Sequence, residues 1–220
     1  MTVFWKKVSL ILALIVLMSQ SALTADLCLL TGPGLGAPEQ GAWENRAAAL
    51  VEAKDWQGLL AWSRHGTQTE PGNNLTWFNL GLAYGKLDRH SEAIEAYREA
   101  LRLKPEDANG WFNFGVSCRK LGRWGKAIAA YREALRLKPD DADAWYNLGV
   151  QYRDLGRYQE AIEAYREALR LKPDDADAWH NIGLAYAKSG NRSAAMEAVQ
   201  QLRRCDPQKA EKLFKLITKP

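Results

Sequence analysis

The sequence predicts an all-α fold, a stack of paired helices repeated along the chain. Two residue types set the period: Pro71, Pro105, Pro139, Pro173 and Pro207 stand at one fixed interval, and Trp43, Trp77, Trp111, Trp145 and Trp179 keep the same interval. A period in the range of roughly 20–50 residues marks a solenoid of supersecondary units, none of which can bury its apolar face alone. Inside one unit the spacing is helical: Trp77, Leu80, Gly81 and Tyr84, then Ala93, Tyr97 and Ala100, closed by Pro105. Residues 131–145 and 165–179 both read YREALRLKPDDADAW, as duplication of one unit would leave them.

Residues 1–25 read as a secretory signal peptide. Lys6 and Lys7 precede an apolar run at 8–18, and small and polar residues lead to Ala25, after which cleavage is expected. The alternative is an uncleaved N-terminal anchor facing the periplasm, although the run is short for a full span. Either reading places the repeats outside the cytoplasm, in the periplasm or the extracellular space. Loss of Lys6 and Lys7 lowers the formal net charge from +4 to +2, a balance that selects no particular polyion as partner. Residues 26–42, rich in Gly, Pro and Ala, read as a linker. The GPGLG run at 32–36 has no strand before it and does not complete a phosphate-binding loop.

Residues 43–73 read as a degenerate hairpin. Trp43, Ala47, Leu50 and Pro71 keep the pattern, but Arg46, Ser63 and Gly66 depart from it. Four full units follow at 74–107, 108–141, 142–175 and 176–209. The second holds Trp111, Phe114, Gly115, Cys118, Ala127, Tyr131, Ala134 and Pro139 in the repeated slots, and the third holds Trp145, Leu148, Gly149, Tyr152, Ala161, Tyr165, Ala168 and Pro173. The fourth departs late, with Val199 and Leu202 in the last two helical slots. Gly122, Gly156 and Gly190 mark the turn inside each pair, where a helix end takes a positive φ. The prolines stop each second helix, and Asp107, Asp141 and Asp175 are expected to cap the next first helix. Residues 210–220 close the array as a capping helix with Ala210, Leu213, Phe214 and Ile217 on one face.

Catalytic chemistry finds no carrier. His65, His90 and His180 have no metal-ligand spacing among themselves or with Cys28, Cys118 and Cys205, and neither a serine elbow nor a phosphate loop occurs. No enzyme activity, metal or cofactor is expected. Nucleic acid is not an expected partner either, because no dense basic face runs beside the aromatic residues.

The repeated slots, Trp, Leu, Gly and Tyr followed by Ala, Tyr, Ala and Pro, resemble the tetratricopeptide repeat family over about four fifths of the chain. The resemblance implies a right-handed superhelical solenoid of antiparallel helix pairs whose first helices line a concave groove. It implies that ligands lie along that groove. The corresponding positions here are an aromatic row of Phe78, Phe112, Tyr146 and His180, an amide row of Asn79, Asn113, Asn147 and Asn181, and an aliphatic row of Leu82, Val116, Val150 and Leu184. Lys86, Arg119, Lys120 and Arg153 stand at its edge. Each asparagine offers a donor and an acceptor to a peptide backbone, while aromatic side chains anchor apolar ones. The expected function is a protein-interaction scaffold or adaptor that holds an extended or helical protein segment. The alternative is a structural module that works by self-association into a homo-oligomer.

Overall fold

Residues 42–218 are described in the computed structural model. The predicted signal peptide at 1–25, nearly all of the linker and Cys28 lie outside them. The described residues form eleven helices and no strand. The first pair is α1 (Ala42–Glu52) and α2 (Trp56–Thr69), which spans the expected degenerate hairpin and begins one residue before it. The four full repeats are α3 (Asn74–Lys86) with α4 (His90–Leu103), α5 (Ala108–Lys120) with α6 (Trp124–Leu137), α7 (Ala142–Asp154) with α8 (Tyr158–Leu171), and α9 (Ala176–Lys188) with α10 (Arg192–Cys205). The chain closes with α11 (Pro207–Thr218).

Local chemistry fixes these boundaries. Asn73, Asp107, Asp141 and Asp175 each accept a hydrogen bond from the backbone N–H two residues on, at 2.9–3.1 Å, and so satisfy a donor that the helix start leaves free. Inside the pairs, Gly122, Gly156 and Gly190 take φ of +68°, +72° and +84°. The same slot in the earlier units holds Asp88 and Lys54, also left-handed at +57° and +54°. The repeat register therefore runs back into the degenerate hairpin, which tolerates a backbone conformation that costs a non-glycine residue roughly 1–2 kcal/mol.

The two markers of the period are bonded to each other. The indole N–H of Trp77, Trp111, Trp145 and Trp179 donates to the carbonyl of Pro71, Pro105, Pro139 and Pro173 respectively, at 2.7–2.9 Å. Each tryptophan thus ties its first helix to the turn that delivers it. The small residues set the depth of the interlock: a Cβ on Gly81, Gly115 or Gly149 would lie 2.7–2.8 Å from the ring of Tyr97, Tyr131 or Tyr165. The second unit shows a compensated exchange. Phe114 stands where its neighbours have Leu80, Leu148 and Ile182, and fully buried Cys118 stands where they have Tyr84, Tyr152 and Tyr186.

The fourth repeat and the cap complete one another. Val199 occupies the slot of Tyr165, and the space beside Gly183 is taken by Leu213 of α11, whose Cδ2 lies 2.7 Å from where a Cβ would stand. Ala210 and Leu213 are buried and Phe214 and Ile217 half-buried, the face expected for a cap. The cap begins earlier in the chain than expected. Pro207, read as a helix stop, is the first residue of α11, where its missing N–H costs nothing, and Asp206 accepts from the Lys209 N–H at 2.9 Å.

The helices from Glu44 onward belong to one unit, a right-handed superhelical solenoid. First helices of successive repeats touch, α3 with α5 and α7 with α9, whereas second helices are joined through them. The closer spacing of the first helices puts α3, α5, α7 and α9 on the concave side.

Candidate peptide-binding groove

The concave helices present the three expected rows at one-repeat spacing. Phe78, Phe112 and Tyr146 are half-buried, and each sets its ring steeply against the buried second-helix tyrosine of its own repeat. Phe78 lies 5.8 Å from Tyr97, Phe112 5.8 Å from Tyr131 and Tyr146 5.9 Å from Tyr165, centroid to centroid. These are the tyrosines that fit the glycine notches, so the stack itself holds the aromatic row in place. His180 continues the row, half-buried, with Val199 in place of the tyrosine. Burial pushes its pKa down, with Asp177 opposing and Lys209 and Arg153 adding to the shift. Leu82, Val116, Val150 and Leu184 are half-buried, each leaving apolar surface open to a partner.

The amide row is not a ladder of four equal rungs. Asn113 and Asn147 donate their side-chain amide to the carbonyl one turn back in their own helices, Asn109 at 2.9 Å and Asp143 at 2.7 Å. Their side-chain oxygens are left as acceptors. Asn181 is buried: it donates to the Tyr146 hydroxyl at 2.9 Å and accepts from the Arg153 guanidinium. Asn79 is half-buried.

The edge cations divide in two. The Lys86 ammonium lies 5.5 Å from the Trp56 ring centre. Arg153 gives Nε and a terminal nitrogen to Asp154 Oδ1 at 3.0 and 2.6 Å as well as bonding Asn181. Arg119 and Lys120 have no such acid or ring among the described residues.

Among and beneath the rows lie buried polar groups that the stack leaves unpaired. The Tyr131 and Tyr165 hydroxyls, both amide atoms of Gln151, the Arg119 Nε and the His180 Nδ1 are buried without a hydrogen-bond partner. Burial pushes the Tyr131 phenol up to about 12. The Arg119 cation opposes that shift, approaching the phenol without a hydrogen bond of normal geometry. Tyr97 and Tyr165 are raised by the same cause. Gln151 did carry a signal in the sequence: its slot is otherwise Ala83, Ser117 and Ala185. Among the described residues no group of His, Cys, Asp and Glu is arranged to hold a metal ion, and no helix is long and apolar enough to cross a membrane.

Helix pairs repeated at one fixed period, stacked with their first helices along a concave face, define a helical-repeat scaffold. Tetratricopeptide repeat models match residues 78–142, 130–163 and 176–209, and a TPR repeat model matches 149–190. Together they tile 78–209, and the chain belongs to the tetratricopeptide repeat family. Among solved structures it is similar to a MamA protein at 27% identity and a TM-score of 0.70, covering 77% of this chain and 92% of that one. It shares its fold with YrrB, described as a TPR protein with an unusual peptide-binding site, at 23% identity and a TM-score of 0.71 over 79% and 90% of the two chains. The same fold is seen in MamA from Desulfovibrio magneticus RS-1, at 18% identity and a TM-score of 0.70 over 76% and 94%. No curated protein sequence matches the chain.

Proposed function

We propose that the chain is a non-catalytic adaptor that holds a protein segment, extended or helical, along the concave face of α3, α5, α7 and α9. Tetratricopeptide repeats are in general protein-interaction scaffolds, and the observation that carries the finer reading is the pair of half-buried rows. Phe112 and Tyr146 are braced from behind by buried tyrosines, and Val116 and Val150 stand one helical turn further along the same helices. Rigid aromatic anchors beside open aliphatic surface suit apolar side chains of a partner. The free oxygens of Asn113 and Asn147 add acceptors for its backbone N–H groups.

The test is selection of peptides from a displayed random dodecapeptide library on the full chain, with Val116→Glu plus Val150→Glu as the control. Peptides taken by the wild type are expected to bind the double variant at least ~10-fold more weakly, since charge enters an apolar contact. Helical circular dichroism should be unchanged. Peptides retained equally by both proteins would place the binding surface elsewhere.

A further inference from the structure

Two successive repeats carry an arginine in the same groove slot, Arg119 and Arg153, and the chain treats them in opposite ways. Around Arg153 it supplies every acceptor. Asp154 Oδ1 takes two guanidinium nitrogens, Asn181 takes a third, and the Asn181 amide is steadied by the Tyr146 hydroxyl at 2.9 Å. One repeat earlier each of these parts is missing. Lys120 stands in the slot of Asp154, and Phe112 stands in the slot of Tyr146 and has no hydroxyl. Asn147, in the slot of Asn181, gives its amide to its own helix. The Arg119 Nε is buried with no acceptor.

The junction is also more polar than its neighbours. Ser117 Oγ lies 4.0 Å from where a Cβ on Gly85 would stand, which shows which slots face each other between successive first helices. At the next junction those slots hold Gln151 and Arg119; at the one after, Ala185 and Arg153. Gln151 is fully buried with neither amide atom bonded, and the Tyr131 hydroxyl beside Arg119 is buried and unbonded as well. Residues 108–132 contain five basic side chains and no acid, so no local carboxylate serves as counter-ion.

Resting on the groove reading above, we propose that the junction of α5 and α7 is a carboxylate subsite, in which Arg119 and Lys120 receive an acidic side chain of the bound segment. The ligand supplies in trans what Asp154 supplies in cis one repeat later. Planar carboxylate is the chemistry that fits, because the equivalent arginine already holds one in this fold, and guanidinium–carboxylate bonds are among the stronger ones available to a protein. Tyr131 and Gln151 form the polar floor behind Arg119, and a bound carboxylate draws the guanidinium into a fixed position over them.

The experiment uses the full chain and the same dodecapeptide library, selected on wild type, Lys120→Asp and Lys120→Gln. Lys120→Asp rebuilds the Arg153–Asp154 pair at this junction and fills the subsite from within. Wild-type peptides are expected to carry Asp or Glu at one fixed place relative to their apolar residues, and exchange of that acid for its amide should weaken binding about 10-fold or more. Lys120→Asp should lose the acid preference and Lys120→Gln should keep part of it, with apolar preferences unchanged in both. Groove-bound peptides with no acid preference, or a preference indifferent to Lys120→Asp, would overturn the subsite and leave the groove reading standing. Peptides that ignore Val116→Glu plus Val150→Glu would sink the groove reading, and the subsite with it.

Discussion

Glycines in the first helices divide by what stands opposite them. A Cβ at Gly149 would meet Tyr165 Cε1 at 2.7 Å, whereas one at Gly85 would find only Ser117 Oγ at 4.0 Å. Gly149→Ala is expected to lose ~1–3 kcal/mol through overpacking, outweighing the gain in helix propensity, while Gly85→Ala should gain up to ~1 kcal/mol from that propensity. Thermal unfolding of the two variants checks the opposite signs. A stabilised Gly149→Ala would mean that Tyr165 yields easily, and that Tyr146 in front of it is not rigidly held. His180 carries the pH dependence at this scale. Its folded pKa is depressed by burial below the ordinary value of about 6.5, so the unfolded chain takes up the proton first as pH falls. The stability it contributes is present above about pH 6.5 and is lost as pH falls through the folded value. His180→Phe, which continues the aromatic row, should therefore lose less stability than wild type between about pH 7 and about pH 5 in matched denaturant titrations. Equal losses would clear His180 of any part in it.

Among the helices, α11 shows most clearly where a local pattern stops informing. The helices of the full repeats before it were legible because most of their boundaries carry local chemistry: an Asp cap, a glycine in a left-handed turn, a closing proline. Pro207 follows the same period but opens a helix instead of ending one, since proline is equally at home in a first turn. The apolar face of 210–217 was visible; that Leu213 would stand beside Gly183, in a fourth repeat with Val199 in the tyrosine slot, was not, because it depends on a contact between segments distant along the chain. The amide row failed to be uniform for the same reason. Asn147 and Asn181 share a slot, and each follows a repeat with an arginine in the same position. Only Asn181 has a tyrosine hydroxyl, that of Tyr146, to bond across the repeat boundary, Phe112 standing in that slot one repeat earlier. Leu213→Ala should cost ~2–5 kcal/mol at this fully buried site. In a solenoid, where each unit depends on its neighbours, hydrogen exchange should show α9, α10 and α11 losing protection while α3 to α6 keep it. A uniform loss along the chain would show that the array opens as one body.

At the scale of the whole molecule, one continuous scaffold carries unequal contents. The repeated slots specify the stack almost completely, and the resemblance of those slots to a known repeat put the candidate groove on α3, α5, α7 and α9. The electrical difference between the second and third repeats, Lys120 against Asp154 and Phe112 against Tyr146, is equally plain in the sequence, yet it acquires meaning only when Arg153 is seen bonded and Arg119 is not. The bonds of Trp145 to Pro139 and of Trp179 to Pro173 lie wholly inside the segments 131–145 and 165–179, which are identical. Strand exchange between the two gene segments encoding them would remove or add one whole unit and still rejoin at an unchanged seam, with the indole and carbonyl partners already supplied. Copy number is thus free to drift without any new interface having to be invented, and groove length can be selected in whole steps.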